Sequence, residues 1–271
     1  MGLSRRRLLG AGLAVTGVGV FASGGSASPP GGPGDGTGGI AEPPPAVPPS
    51  PSLAPPSPSP SNTREPRQRP VFTLAEYRQA VPGAPFPGNA VALTIDDGPH
   101  PVWTPKVLRL LERLHVPAMF CLIGNQILGH EDVARSIVAA GHQVSNHTWS
   151  HPATIASLGE DQVRQELERA QNKIYDTTGH TPGVFRSPGG AVSPAVLAAA
   201  ARTGMVPVNW TDDPRDWAKP GVQSITNRLL GAKAGHILLC HDGGGDRSQT
   251  CAALATVIPA LQQRGLQFVA L

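Results

Sequence analysis

Aromatic side chains make up only 4% of the 271 residues and charged ones 15%, and there are just three cysteines. So few rings leave little surface on which a long chain of sugars could stack. The net charge is a modest +3, and no stripe of lysine and arginine interleaved with aromatics occurs, so there is no nucleic-acid footprint. No apolar run reaches the roughly 20 residues that a membrane span needs. Three cysteines allow at most one bridge and one free thiol. Cys121 and Cys240 fall inside apolar runs, where a thiol behaves as a small apolar group. Cys240 and Cys251 flank a histidine-bearing loop and can pair across it.

Proline and glycine, by contrast, are abundant and unevenly spread. Half of the 30 prolines lie between Pro29 and Pro70, in stretches such as "AEPPPAVPPSPSLAPPSPSPSN". Such a segment has too little apolar surface to offset the entropy of ordering it, so residues 28–70 are predicted to be a disordered linker. Residues 71–271 then form one folded domain, large enough for a core of its own. Residues 1–27 carry three arginines (Arg5 to Arg7), a mildly apolar stretch from Leu8 to Ala22 and small residues around Ala27. This is the pattern of an export signal, and the twin arginine after Ser4 suits twin-arginine export. An ordinary secretory signal or an uncleaved anchor are the alternatives. No cysteine lies near the cleavage region, which argues against a lipoprotein. The expected location is outside the cell membrane, secreted or associated with the wall.

Within the folded part, short β-branched or apolar runs alternate with amphipathic segments. "VALTI", "PAMFCLIG", "HQVSNH", "GVFR", "MVPVNW", "HILLC" and "LQFVAL" read as strands, and the segments between them as helices. Val107, Leu110, Leu111 and Leu114 share one helical face, with Thr104 expected as the cap and Pro105 at the first position. Strands that alternate with helices predict a parallel sheet wrapped by helices, either a barrel or a doubly wound sheet. In both, chemistry gathers at the carboxyl ends of the strands.

The ionisable clusters stand at those ends. Asp96 and Asp97 close the first strand, His147 and His151 follow the third, and Arg186 closes the fourth. Asp213, Asp216 and Trp217 follow the fifth, and His241 and Asp242 close the sixth. Taken singly, each has a plainer explanation: Asp-Asp-Gly-Pro is a good turn, two histidines four apart are common, Arg186 suits a structural ion pair, and His241 a satisfied core position. Together they would require five independent accidents. One carboxylate added to two imidazoles forms a divalent-cation site with open positions for water and substrate. A cation also accounts for the adjacent acids, since one aspartate can ligate it while its neighbour takes a proton from the activated water. A nearby arginine keeps that base ionised, and a histidine on the opposite side, charged by an aspartate, can protonate a leaving group.

At these residues the sequence resembles the polysaccharide deacetylase family, the NodB-homology or carbohydrate esterase family four domain. The resemblance runs from about Val91 to Leu271 and rests on "TIDDGPH", "HTWSH", "RSPGG", "DPRDW" and "LLCHDGG" in that order. It implies an α/β fold, a distorted (β/α) barrel of seven or eight strands. It further implies Asp96 as catalytic base, Asp97, His147 and His151 as metal ligands, and His241 as catalytic acid. Arg186 would support Asp96, Asp216 would tune His241, and Trp217 would pack in the site. The implied reaction is metal-dependent removal of acetyl groups from a glycan, with zinc, cobalt or another divalent ion as cofactor and a backbone N–H near Gly189 helping to hold the oxyanion. The expected partners are an acetylated glycan and the cell wall, with no nucleic acid, and the protein is expected to be a monomer. Peptidoglycan and chitin-like glycans are the expected substrates; O-acetylated xylan and a small non-sugar amide are alternatives. Two positions depart from the family pattern. Ile95 replaces a usual phenylalanine, and Gly189 replaces an aromatic that lines the sugar site, leaving stacking to Trp103, Trp149, Trp210 and Trp217.

Overall fold

The computed structural model describes residues 63–83 and 86–271, so the segment read as an export signal and most of the proline-rich stretch lie outside the described residues. Among the described residues, no helix is long and apolar enough to cross a membrane. The elements alternate as the apolar runs predict: β1 (Ala90–Gly98), α2 (Trp103–Leu114), β2 (Met119–Leu122), α3 (Glu131–Ala139), β3 (Gln143–Asn146), α4 (Glu160–Thr178), β4 (Val184–Phe185), α5 (Pro194–Arg202), β5 (Val206–Pro207), α6 (Val222–Leu229), β6 (Ile237–His241), α7 (Ser248–Gln263) and β7 (Gln267–Val269). A short helix not foreseen, α1 (Leu74–Ala80), precedes them, with Thr73 Oγ1 capping it through the Glu76 N–H.

The seven strands form one curled sheet in the order β5-β4-β3-β2-β1-β6, with β7 also on β1. Every strand pair is parallel. This is the distorted barrel expected. The side between β5 and β6 is closed by isolated bridges, Val71 to Val208, Thr73 to His236 and Asp212 to Leu238. The segment just before α1 is therefore a stave of the barrel.

Side-chain alternation divides the core. Val91, Leu93, Ile95, Phe120, Leu122, Leu238 and Cys240 face outward and pack with Val107, Leu111, Leu254 and Val257 of α2 and α7. Ala90, Ala92, Met119, Cys121, Val184 and Ile237 face inward, where Leu74 and Tyr77 of α1 join them. Each such buried Leu, Ile or Val contributes roughly 1.5–3 kcal/mol. The same two-residue period carried to the strand ends puts Asp96, His147, Arg186 and His241 on the inner face.

Two details differ from the sequence reading, and a third, the cysteine pairing, settles what it left open. Thr104 lies in the first turn of α2, whose cap position is Val102. Its hydroxyl accepts from the His100 N–H and donates to Asp242 instead. Pro105 is tolerated there because the first turn needs no partner for its N–H. All three thiols are free, Cys240 and Cys251 packing into the outer cluster without a bridge. Finally, part of the stretch read as linker is docked: Arg64 N–H donates to Ala201 O at 2.9 Å, Arg64 Nε to Gly204 O at 2.8 Å, and Pro70 is buried.

Candidate active site

Adjacent residues of a regular strand point to opposite faces, yet Asp96 and Asp97 both reach the cleft. The reason is a register shift between Asp96 and Gly98 in the pairing of β1 with β2, combined with a left-handed Asp97 at φ 74°. Aspartate tolerates that conformation better than most residues. The tight turn also explains the glycines around it. A Cβ on Gly98 would stand 2.6 Å from Asp242 Oδ1, and one on Gly243 only 1.9 Å from the Asp97 carbonyl oxygen.

His147 and His151 are not on a helix. Thr148 and His151 are left-handed, at φ 68° and 55°, and fold the chain back so that the two rings stand edge to face with centroids 4.8 Å apart. The turn is held by Thr148 N–H to Asn146 Oδ1 (2.8 Å) and His151 N–H to Thr148 Oγ1 (2.9 Å), and Asn146 Nδ2 is itself tied to Leu167 O of α4. Asp97 Oδ1 lies 3.4 Å from His147 Nε2 and 3.5 Å from His151 Nε2.

One ligand atom from each of Asp97, His147 and His151 falls within 4.8 Å of the others, which fits a single divalent cation. The donor chemistry fits as well. His147 Nδ1 donates to the Arg186 carbonyl oxygen at 2.7 Å, which leaves the Nε2 lone pair facing Asp97 and His151. Burial alone would raise the Asp97 pKa, but the His147 hydrogen bond and the neighbouring His147, His241 and His151 rings outweigh it and hold the carboxyl well below the usual carboxylate range. Burial lowers the His151 pKa, with His147 adding to the effect, as suits a neutral ligand.

Asp96 is on the other side of the same turn, 2% exposed. Arg186, fully buried, donates from Nη1 to Asp96 Oδ1 (2.9 Å) and Thr94 Oγ1 (2.6 Å), from Nε to Val208 O (3.1 Å) and from Nη2 to Asn209 O (3.0 Å). Burial opposes the arginine's charge, and Asp96 more than offsets that penalty. Asp96 Oδ2 is left toward the cleft, 3.8 Å from His147 Nε2.

Across the cleft, His241 Nδ1 donates to Asp216 Oδ1 at 2.7 Å. Asp216 Oδ2 accepts from the His241 backbone N–H (2.9 Å) and from Thr250 Oγ1 (2.8 Å). Burial pushes the His241 pKa down, but the Asp216 hydrogen bond and charge reverse the shift and raise it above the ordinary histidine value. Asp242, next in sequence, points the other way and packs behind Gly98. Burial, with Asp97 and Asp96 adding to it, pushes its carboxyl up to about 7 against the opposing Thr104 hydrogen bond.

The cleft holds about 320 Å³ and is lined by Asp96, Asp97, His147, His151, Gly189, Trp210, Asp213, Trp217, Leu239 and His241. Every residue expected at the site is there except the two that act from behind, Arg186 and Asp216. Asp213 and Leu239 join the lining without having been assigned to it. Leu239 follows from alternation, two residues before His241. Thr94 opens the "TIDDGPH" motif but was given no role, and Thr250 carried no motif and was missed. Of the four tryptophans, Trp210 and Trp217 line the cleft. Trp149 is covered by Arg169, 3.7 Å from its ring centre, and lies against Gly124, where a Cβ would meet Trp149 Cε3 at 2.7 Å. Trp103 is covered by Lys106 at 4.1 Å.

The comparisons with known proteins agree with this geometry. The family model for polysaccharide deacetylase matches residues 83–208. A peptidoglycan-N-acetylglucosamine deacetylase of Bacillus cereus is 41% identical over 182 residues, 66% of this chain and 84% of that protein. This chain belongs to the polysaccharide deacetylase family. The chain is accordingly a carbohydrate deacetylase, a hydrolase acting on carbon–nitrogen bonds other than peptide bonds, as its named relatives are. A chitooligosaccharide deacetylase of Sinorhizobium fredii is 38% identical over 201 residues, 70% of this chain and 94% of that protein. Among solved structures, a peptidoglycan N-acetylglucosamine deacetylase in complex with an N-hydroxybenzamide superposes with a TM-score of 0.67 at 31% identity, covering 74% of this chain and 90% of that one.

Proposed function

We propose that the protein removes N-acetyl groups from N-acetylglucosamine-containing glycans, peptidoglycan or chitin-like, outside the cell membrane. The observation that carries the reading is the Asp97, His147 and His151 set, with ligand atoms within 4.8 Å of one another, standing between the Asp96–Arg186 pair and the His241–Asp216 pair. A divalent cation held by these three residues supplies Lewis acidity that lowers the pKa of water and polarises an acetyl carbonyl.

The chain's own residues supply the rest. Arg186 occupies Oδ1 of Asp96, so Oδ2 is the atom that takes the proton from the attacking water. His241, protonated on Nδ1 toward Asp216, presents Nε2 to the cleft and gives its proton to the departing amine. Asp216 favours the imidazolium needed for that transfer. Gly189 contributes its backbone to the wall of the site, and Trp210 and Trp217 contribute ring surface. A volume of about 320 Å³ is near the lower end of the roughly 300–1,000 Å³ range for small-ligand clefts, which suits one acetylated sugar at a time. The arginine-bearing first segment supports export, and the proline-rich segment supports a spacer between that end and the domain. Zinc is the proposed ion, and a monomer the proposed working form.

The test is acetate release from peptidoglycan, chitooligosaccharides and acetylated xylan, with metal content measured on the same sample. Release from the N-acetylated glycans with about one equivalent of metal is the expected result. Release from xylan alone would favour the esterase reading, and release from none would refute the proposal.

A further inference from the structure

Arg247 is 3% exposed and takes no part in the chemistry above. Its donors go to backbone carbonyls: Nε to Gly243 O at 2.6 Å, and Nη1 to Trp217 O at 3.4 Å. A guanidinium withdrawn from water destabilises the fold unless its donors are met, and these two acceptors belong to separate loops of the site. Gly243 follows His241 and Asp242 and presses on the Asp97 carbonyl, where a Cβ would stand 1.9 Å away. Trp217 follows Asp216 and lines the cleft, the residue 47% exposed. A Cβ on Gly244 would stand 3.0 Å from Arg247 Nη2 and 3.1 Å from Asp97 Oδ2, so the glycine brings the guanidinium close behind the ligand aspartate.

Arg215 stands over the Trp217 ring at 5.3 Å, and its short turn, flanked by left-handed Arg215 and Lys219, is tied on the Asp216 side to His241 and Thr250. The tie from Arg247 to the Trp217 carbonyl joins this turn to the loop that is wedged against Asp97. We propose that Arg247 is a positioning residue for glycan binding, fixing the Trp217 ring at the lip of the cleft by clamping its backbone to the Gly243 loop. This rests on the reading of Trp217 as part of a glycan site. Arg247 touches no substrate; it acts through Trp217.

The test uses Arg247→Met, Arg247→Lys, Trp217→Ala and the double variant Arg247→Met/Trp217→Ala, assayed on a soluble chitooligosaccharide. Loss of a charge-assisted hydrogen bond predicts a KM about tenfold higher in Arg247→Met, with kcat changed by less than about threefold and metal content unchanged. Arg247→Lys, which keeps the charge but lacks the fork, falls between, and it carries the same comparison if the methionine variant does not fold. Acting through Trp217 predicts non-additivity: the double variant has the KM of Trp217→Ala alone. An additive rise, or a fall in kcat at unchanged KM, overturns the proposal. Hydrogen exchange of residues 215–219, measured without glycan, gives an answer independent of activity. Faster exchange in the variant supports the clamp; unchanged exchange overturns it even if the wild-type protein releases acetate. A wild-type protein that releases none refutes the functional reading and leaves the exchange result to decide the clamp.

Discussion

Arg186 Nη1 donates to Asp96 Oδ1 at 2.9 Å and to Thr94 of the same strand, while Nε and Nη2 are anchored on the Val208 and Asn209 carbonyls just past β5, so the orientation of Asp96 is tied to a second, distant segment. Removing the guanidinium would leave a buried carboxylate without its partner, which is far more costly than losing a surface ion pair. Arg186→Met is expected to lower kcat by about 100-fold or more, the scale of a lost general base, while metal content changes little. Steady-state rates together with metal analysis check this. A variant with near-normal kcat would show that Asp96 does not depend on the arginine.

The two adjacent aspartates separate in the same way. Asp97 stands 3.4 Å and 3.5 Å from the two imidazoles, whereas Asp96 is engaged by Arg186. Asp97→Asn is expected to release metal at concentrations where the wild type is saturated. Asp96→Asn should keep the metal and lose turnover by roughly 10²–10⁴-fold. Equal metal loss in both variants would contradict this division.

Much of this arrangement was legible in the sequence because alternation in a parallel sheet is a local rule. Asp96, His147, Arg186 and His241 end strands whose inward positions run Ala92–Thr94, Ser145, Val184 and Ile237–Leu239, so their convergence follows once the strands are recognised. What was not legible depends on contacts between distant segments. The left-handed Asp97 arises from the register shift against β2, and the need for glycine at 243 arises from its approach to the Asp97 carbonyl. Thr250 carries no motif and reaches Asp216 only because α7 packs beside the turn that follows β5. The docked Arg64 was hidden by its proline-rich surroundings, whose composition outweighs one arginine in any local reading.

His241 is expected to set the pH dependence on the alkaline side. Its pKa is raised chiefly because the Asp216 hydrogen bond and charge overcome the opposing effect of burial. As the proposed acid, His241 must carry its proton, so kcat is expected to fall as pH rises through that raised value. Asp216→Asn removes the charge that sustains the imidazolium while keeping a hydrogen-bonding side chain. The alkaline limb of its kcat profile should therefore move to lower pH, and the maximal rate should drop as well. An unmoved limb would mean that a group other than His241 controls it.

The edge of the folded domain can be tested by shortening the chain. Arg64 donates to the Ala201, Gly204 and Ala80 carbonyls near the carboxyl ends of α5 and α1, and Arg69 pairs with Glu76 at 2.6 Å. Helix carboxyl ends leave carbonyls unsatisfied, and a cation there is favourable. A chain beginning at Thr63 should match the full-length protein in Tm and in activity on a soluble oligosaccharide. One beginning at Val71 loses the Arg64 and Arg69 contacts, together worth on the order of 1 kcal/mol because they are exposed, and its Tm should fall by about 2–4 °C with activity retained. One beginning at Leu74 also loses the stave. Val71 accepts from the Asn209 N–H at 2.7 Å and donates to Pro207 O at 2.9 Å, and Val208 and Asn209 supply two of the carbonyls that hold Arg186. Activity should then fall together with stability, because the stave reaches Asp96 through Arg186. Identical Tm values for the first two chains would show that the Arg64 contacts contribute nothing, and full activity in the third would sever the stave from the site.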